Sequence, residues 1–244
     1  MRYLVLTDLH ANLAAFSAVL ADAEAEGYDH VLLLGDLVGY GGDPAAVIDR
    51  ALALSPATMV RGNHDKVCAG IESSLMFNDV ARVAAEWTHE TLDAAHLKAI
   101  ADLPIGPVHV PPDIAICHGA PFDEDYYVFD ESDAARAIET SGARVCLFGH
   151  THVPALFATA DDPFGEETGN PGEFALPRTG PALINVGSVG QPRDRDPRAA
   201  YGILDMGART ILMRRVEYDI AAAQASIMKA GLPAWLALRL ERGQ

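Results

Sequence analysis

Five short pieces of the chain, each following an apolar run, carry side chains able to bind a metal ion. They are Asp8 and His10 in TDLH, Asp36 in LLGDLVG, Asn63, His64 and Asp65 in RGNHD, His118 in CHG, and His150 with His152 in GHTH. They hold five of the nine histidines. The other four, His30, His89, His96 and His109, have no such company and read as surface or packing residues. Imidazoles, carboxylates and one amide oxygen, with no thiolate among them, suit borderline divalent ions such as Mn²⁺, Fe²⁺, Co²⁺ or Zn²⁺. The set exceeds what one tetrahedral site takes. Two ions sharing a carboxylate would use it, and a pair about 3.5–4 Å apart activates a bridging water and clamps both oxygens of an in-line phosphoryl displacement. Phosphoester hydrolysis is the chemistry that follows. Singly, an Asp-x-His or a Gly-Asp after a strand is ordinary turn or capping chemistry; five pieces in this order favour the metal reading.

Groups so far apart in sequence meet only if the fold gathers strand ends. YLVLTD at 3–8, a helix over 12–27 and HVLLLGD at 30–36 read as strand, helix, strand. Asp43 as N-cap and Pro44 at the first helical position start a helix to about Ala53, and ATMVRGNHD at 57–65 reads as the next strand. Residues 77–102 read as two helices broken near Asp93. PVHV and DIAICHG read as strands around Pro111-Pro112, and a helix over 133–140 leads to RVCLFGHTH. Strand signals without helices between them follow at 153–159, 182–187, 201–205 and 210–216, and the C-terminal stretch is helical, interrupted at Gly231 and Pro233. The pattern predicts an α/β fold, parallel first and antiparallel later. Carboxyl ends of parallel strands lie along one edge, so residues just after several strands converge on one crevice.

Composition sets bounds. Half of the 244 residues are hydrophobic and 21% are charged, which is ordinary globular usage. The length, with no internal repeat and no break in composition, suits one domain over 1–244. The balance of 18 Lys plus Arg against 34 Asp plus Glu, net −16, disfavours nucleic-acid backbones and anionic membranes as general partners. Bound metal would neutralise part of that charge. Cys68, Cys117 and Cys146 form no C-x-x-C pair and read as buried free thiols in a reducing compartment, the cytoplasm. Only four consecutive apolar residues, Tyr3 to Leu6, precede Asp8, too few for a signal-peptide core or a membrane span. Residues 161–181, rich in Pro, Gly and acid, read as a solvated hairpin loop or as a lid.

The five pieces, D-x-H, G-D, G-N-H-D, H and G-H-x-H in that order from Asp8 to His152, resemble the calcineurin-like metallophosphoesterases, in particular the small single-domain bacterial and archaeal phosphodiesterase type. The resemblance implies a two-layer mixed β-sandwich flanked by helices, with two divalent transition-metal ions at the strand ends. Asp8, His10 and His152 would hold the first metal, Asp36 would bridge, and Asn63, His118 and His150 would hold the second. His64 would stay unligated beside the scissile phosphate, protonating the leaving oxygen or stabilising its charge, a task that suits imidazole near neutral pH. Asp65 would orient His64 or cap a turn. Gly149 would let the backbone turn close to the metals, and the spacing of His150 and His152 on an extended segment would point both the same way, each to a different ion, with Thr151 facing away.

Departures from the family narrow the substrate. Protein Ser/Thr phosphatases continue the second piece as G-D-x-V-D-R-G, and here the later Asp and Arg are Gly39 and Tyr40. That argues against a protein-phosphatase subtype and leaves the partner of His64 unidentified. NVGSVGQPRDRDPRAAYGILD from Asn185 resembles a segment near the metals in related small phosphoesterases. Its Gly187 and Gly190 would let backbone N–H groups approach an anion. Arg193, Arg195 or Arg198 would pair with phosphate, or else balance Asp194 and Asp196. Tyr40 and Arg193 are the substrate-binding candidates. The expected partner is a small phosphoester, diester or monoester, a nucleotide among the options; a homo-oligomer is compatible with the apolar C-terminal helix. The alternatives are a catalytically silent scaffold of the same fold, and a nuclease, which would need a basic groove.

Overall fold

The computed structural model describes residues 1–158 and 171–244. Its first strand, β1 (Arg2–Leu6), is buried on both faces, which is what a continuous apolar run produces in a sheet covered from both sides. Helix α1 (Leu13–Glu26) and β2 (His30–Leu33) follow, then α2 (Pro44–Leu52), β3 (Ala57–Met59) and α3 (Asn63–Cys68). After a 3₁₀ turn at Ser74–Met76 come α4 (Asp79–Thr91), α5 (Ala94–Ala101), β4 (Val108–Val110), β5 (Ile114–Ile116), α6 (Glu131–Ser141) and β6 (Val145–Phe148). The chain ends with β7 (Ala155–Ala158), β8 (Gly172–Ala175), β9 (Ala182–Asn185), β10 (Ala199–Asp205), β11 (Thr210–Val216), α7 (Ile220–Lys229), α8 (Ala234–Leu238) and a 3₁₀ turn at Arg239–Arg242.

Two sheets form, in the orders β3-β2-β1-β10-β11-β8 and β4-β5-β6-β9-β7. Strands β1, β2 and β3 are mutually parallel, and β10, β11 and β8 complete their sheet antiparallel. In the second sheet β5, β6 and β9 run parallel, with antiparallel β4 and β7 at its edges. The sheets pack on each other through Tyr3, Val5, Leu32 and Leu34 of the first and Ile114, Ile116, Val145 and Leu147 of the second. The alternate residues face helices: Leu4, Leu6, Val31 and Leu33 toward α1 and α2, and Ala115, Cys146 and Phe148 toward α6. This alternation is the period-two geometry of a strand with apolar residues on both sides. Four layers result, a mixed α/β sandwich of two sheets flanked by helices, as expected.

Three expectations change. Residues 57–65 do not form one strand: β3 stops at Met59 and Asn63 opens α3, because Asp65 accepts the Gly62 N–H at 2.9 Å and closes a helical turn there. Strand β9 is parallel to β6, so the part after residue 153 is not uniformly antiparallel. Within the segment 161–181, Gly172–Ala175 is edge strand β8, where a loop or lid was expected; composition hid it because Phe174 is the only large side chain it lends to the core. Residues 161–170, on which the rest of that expectation falls, lie outside the described residues. All three cysteines are buried and unpaired, with the Cys117 and Cys146 sulfurs 4.0 Å apart.

Candidate metal centre

The turns after the strands are tied to one another by backbone hydrogen bonds. After β1, the Asp8 and His10 N–H groups donate to Gly35 and Asp36 oxygens after β2, at 3.1 and 3.0 Å. Val189 and Gly190 reach back to Thr7 and Asp8, and Gly149 donates to His118 at 2.8 Å. These turns are tight enough to force left-handed backbone on ordinary residues: Asp8, His10, Ala11, Asp36, Tyr40, His150 and His152 all have φ between 45° and 67°. Each such residue costs about 1–2 kcal/mol, and clusters of them persist where surrounding structure imposes them, characteristically at functional sites.

That backbone corrects the account of GHTH. His150 and His152 are not alternate residues of an extended segment; both are left-handed, at φ 67° and 60°. Gly149 is needed for clearance, since a Cβ there would lie 2.0 Å from the Thr7 hydroxyl. Thr151 is buried and accepts a hydrogen bond from Asn185 at 3.0 Å. The glycines at 187 and 190 also act differently from expectation. Their N–H groups donate to Asn185 and to the Asp8 carbonyl and are not available to an anion; a Cβ on Gly190 would sit 1.9 Å from Leu9 O.

All seven predicted ligands converge. Asp8, His10, Asp36 and His152 bring one donor atom each within 4.8 Å of one another, and Asp36, His118 and His150 do the same. Asp36 belongs to both groups: its Oδ2 is 3.5 Å from His10 Nε2 and 3.4 Å from His118 Nε2, while Oδ1 accepts the His64 N–H. The Asn63 oxygen lies 3.1 Å from His118 Nε2.

The tautomers follow from the outer hydrogen bonds. His10 Nδ1 meets Val38 O at 3.1 Å, His152 Nδ1 meets Gln191 O at 2.6 Å, His118 Nδ1 meets Leu34 O at 2.9 Å and His150 Nε2 meets Asp125 O at 3.1 Å. A carbonyl only accepts, so each of those nitrogens carries the proton, and the inner nitrogen of each neutral ring presents a lone pair. Those lone pairs face each other, His10 Nε2 to His152 Nε2 and His118 Nε2 to His150 Nδ1, both at 3.1 Å. Acceptor pointed at acceptor among two buried carboxylates is repulsive unless a cation lies between, and carbonyl-held imidazoles are how metal-binding histidines are oriented. The donor set therefore fits divalent metal.

Electrostatics agree. Burial pushes the Asp8 carboxyl up to about 6. Burial opposes charge on His118 too, but the Asp36 carboxylate beside it overrides this and lifts the ring to about 10, so without an ion a proton on His118 Nε2 takes the place of the cation, and binding of a metal would displace it. The cluster draws positive charge to itself.

Residues 1–209 match the calcineurin-like phosphoesterase superfamily domain. The chain belongs to that superfamily. It is 38% identical to a metallophosphoesterase from Sphaerobacter thermophilus, whose crystal structure superposes with a TM-score of 0.88 over 100% of this chain and 99% of that one. It is 34% identical over 242 residues to the uncharacterized protein MJ0912 of Methanocaldococcus jannaschii, covering 98% of this chain and 97% of that protein. The hypothetical protein PH1004 of Pyrococcus horikoshii OT3 has the same fold, with a TM-score of 0.80 at 20% identity, covering 100% of this chain and 98% of that one.

Beside the ligand cluster of this superfamily member lies a cavity of about 270 Å³, lined by Asn63, His64, His150, Tyr40, Phe77 and Tyr127 among others. His64 is buried between Tyr40 and Phe77, with ring centres 4.3 and 4.6 Å away, and burial lowers its pKa to about 4. Its Nδ1 has no hydrogen-bond partner among the described residues, and a Cβ on Gly39 would lie 2.4 Å from that atom. The ring thus fills the space an Asp at position 39 would need. Asp65 does not orient His64. Its oxygens accept from Leu37, Val38 and Gly62 N–H groups at 2.9, 3.2 and 2.9 Å, which fixes the Asp36 turn to the start of α3, so of its two expected roles the structure shows the capping one.

The arginines of the 185–205 stretch divide. Arg198 pairs with Asp196 at 2.6 Å, whereas Arg193 turns to the site, hydrogen-bonded to Gln191 and 5.8 Å from the Tyr40 ring centre. Two neighbours of the site went unnoticed in the sequence. Tyr127 stacks on His150 with ring centres 3.7 Å apart, and Phe77 packs on His64. Both come from irregular stretches whose path no periodicity encodes. Among the remaining histidines, His30 bonds Thr58, His89 bonds Cys68 O, His96 lies between Asp49 and Asp93, and His109 is exposed. No described helix is long and apolar enough to cross a membrane.

Proposed function

We propose that the chain is a metal-dependent phosphoester hydrolase. One divalent transition-metal ion is held among Asp8, His10, Asp36 and His152, and a second among Asp36, Asn63, His118 and His150. The observation that carries this reading is the set of inward lone pairs, four imidazoles held from behind by carbonyls around a shared carboxylate. Bound there, such ions would lower the pKa of a water and neutralise charge on a phosphoryl group. Arg193 binds phosphoryl oxygens with a fork of N–H donors, and Tyr40 forms the wall beside it. His64, on the cavity wall, donates an N–H to the leaving oxygen.

The substrate is a small phosphomonoester or phosphodiester, nucleotides included, selected by the cavity. The net charge of −16 opposes an extended nucleic acid. Two sheets sharing one core support a single domain over 1–244, and buried unpaired thiols support the cytoplasm. The purified protein should carry about two equivalents of transition metal. It should hydrolyse p-nitrophenyl phosphate or bis(p-nitrophenyl) phosphate with Mn²⁺. His64→Ala should lower kcat by about 10²–10⁴-fold with metal content unchanged. Turnover that survives complete removal of metal would overturn the proposal.

A further inference from the structure

Among the described residues, the three most exposed large apolar side chains stand around one opening. Met76 is 86% exposed, Leu75 79% and Phe129 68%. Met76 lines the cavity of about 270 Å³ beside the ligand cluster, as does Tyr127, and the Phe129 ring is stacked parallel to Tyr127 with centres 5.5 Å apart. Leu75 and Met76 belong to the 3₁₀ turn before α4, Tyr127 and Phe129 to the connection between β5 and α6. Exposed apolar side chains scattered singly are ordinary surface. A set gathered on two segments at the rim of one cavity marks a ligand groove.

The charges of the cavity point the same way. The one cation lining it among the described residues is Lys66, and its ammonium lies 2.7 Å from Glu72 Oε2, 2.5 Å from Asp125 Oδ2 and 3.3 Å from Glu124 Oε1. Glu72 and Asp125 line the cavity themselves. Lys66 is therefore matched before any ligand enters, and the lining carries more negative charge than positive. A second phosphate or a carboxylate on the substrate would find no unpaired cation there and would meet two carboxylates. Val67, Phe77 and Ala81 supply further apolar wall.

In the hydrolase reading the leaving oxygen lies at His64, which shares this cavity, so the alcohol attached to that oxygen extends into it. We propose that the cavity seats the alcohol portion of the phosphoester and selects one that is uncharged and apolar, with Tyr127 and Met76 as specificity-determining residues. This rests on the hydrolase reading of the adjoining metal centre and names the chemistry of its substrate.

The test is calorimetric binding of three phosphonates to the manganese-loaded protein: methylphosphonate, benzylphosphonate and 4-carboxybenzylphosphonate. None has an ester bond to cleave, so binding is read apart from turnover. Wild type should bind benzylphosphonate about tenfold more tightly than methylphosphonate, and the added carboxylate should weaken binding again. Tyr127→Ala should bring the benzyl-to-methyl ratio close to one, while Tyr127→Phe, which keeps the ring, should preserve it. Met76→Ala, at a side chain too exposed to support the fold, should lower the ratio by about threefold and carries the test alone if Tyr127→Ala does not fold. Equal binding of methyl- and benzylphosphonate by wild type, tighter binding of the carboxylate, or a ratio that the alanine variants leave intact would overturn the seat. A ratio that depends on Tyr127 and Met76 in a protein that cleaves no ester would uphold the seat and defeat the hydrolase reading. Active enzyme without the benzyl preference would do the reverse.

Discussion

The two halves of the ligand cluster share Asp36 and differ in what surrounds them. Asp8, His10 and His152 are 0–2% exposed and are held by turns that directly follow β1 and β6, with Tyr40 packed on the His10 ring. Asn63 and His150 line the cavity, and His150 is held from behind by the carbonyl of Asp125 in the connection between β5 and α6. Tyr127, which covers His150, is itself 42% exposed. Both halves are buried, with His118 and His150 at 0% and 3%, but only the second borders the cavity, through Asn63 and His150, under an irregular connection. Local opening is easiest where few buried apolar contacts oppose it, so under the proposed function substrate would arrive, and a metal would exchange, on the side where Asn63 and His150 line the cavity.

Asp36→Asn tests the sharing and has the largest expected effect. The amide keeps the size and one oxygen but removes the charge that faces both His10 and His118. Both ions should be lost from the purified protein and turnover should fall to background, read by elemental analysis and by p-nitrophenyl phosphate hydrolysis. Full retention of one ion would show that the halves are independent and that the bridging role is wrong.

A second experiment separates the halves by rate. On dialysis against a chelator, metal should leave in two phases, about one equivalent in each. His150→Ala should abolish the fast phase and His10→Ala the slow one. Loss of the ions should also lower the melting temperature, by about 2–4 °C for each kcal/mol of linked binding free energy in a chain of this length. A single phase in wild type would erase the distinction between the two sides.

The sequence already announced the half away from the cavity. Asp8, His10, Asp36 and His152 each follow a strand whose apolar run is plain, and a strand end has only one edge to point to. His118 after β5 was legible for the same reason. What failed lay wherever a turn or a distant segment decided direction. The GHTH turn is left-handed at both histidines, which spacing alone cannot reveal. Asp65 read equally as a partner of His64 or as a cap, and three backbone N–H groups that compete successfully for its oxygens make it the cap of α3. Strand β8 escaped notice since a Gly- and Pro-rich segment with one core residue has no readable period.

The smallest expected effect concerns what steadies the half that borders the cavity. Glu124, next to Asp125, receives Arg61 Nε and Nη2 at 3.1 and 2.9 Å and Lys66 Nζ at 3.3 Å, tying the connection that backs His150 to residues flanking Asn63. Burial alone would raise the Glu124 carboxyl, but the hydrogen bond from Arg61 and the charge of Lys66 outweigh it and hold the group below its usual range. A carboxyl whose folded pKa is depressed stabilises the fold above its unfolded pKa, about 4.3 for glutamate, and loses that contribution as pH falls through the folded value. Glu124→Gln should therefore cost about 1–3 kcal/mol at pH 7, read as a lower melting temperature, with the gap to wild type closing below pH 4. Chelation of the fast-leaving metal should speed up in the same variant, because Asp125 O is then less firmly held behind His150. A melting gap that persists undiminished in acid would mean that shape, not charge, steadies this side, and the contrast between the halves would then rest on packing alone.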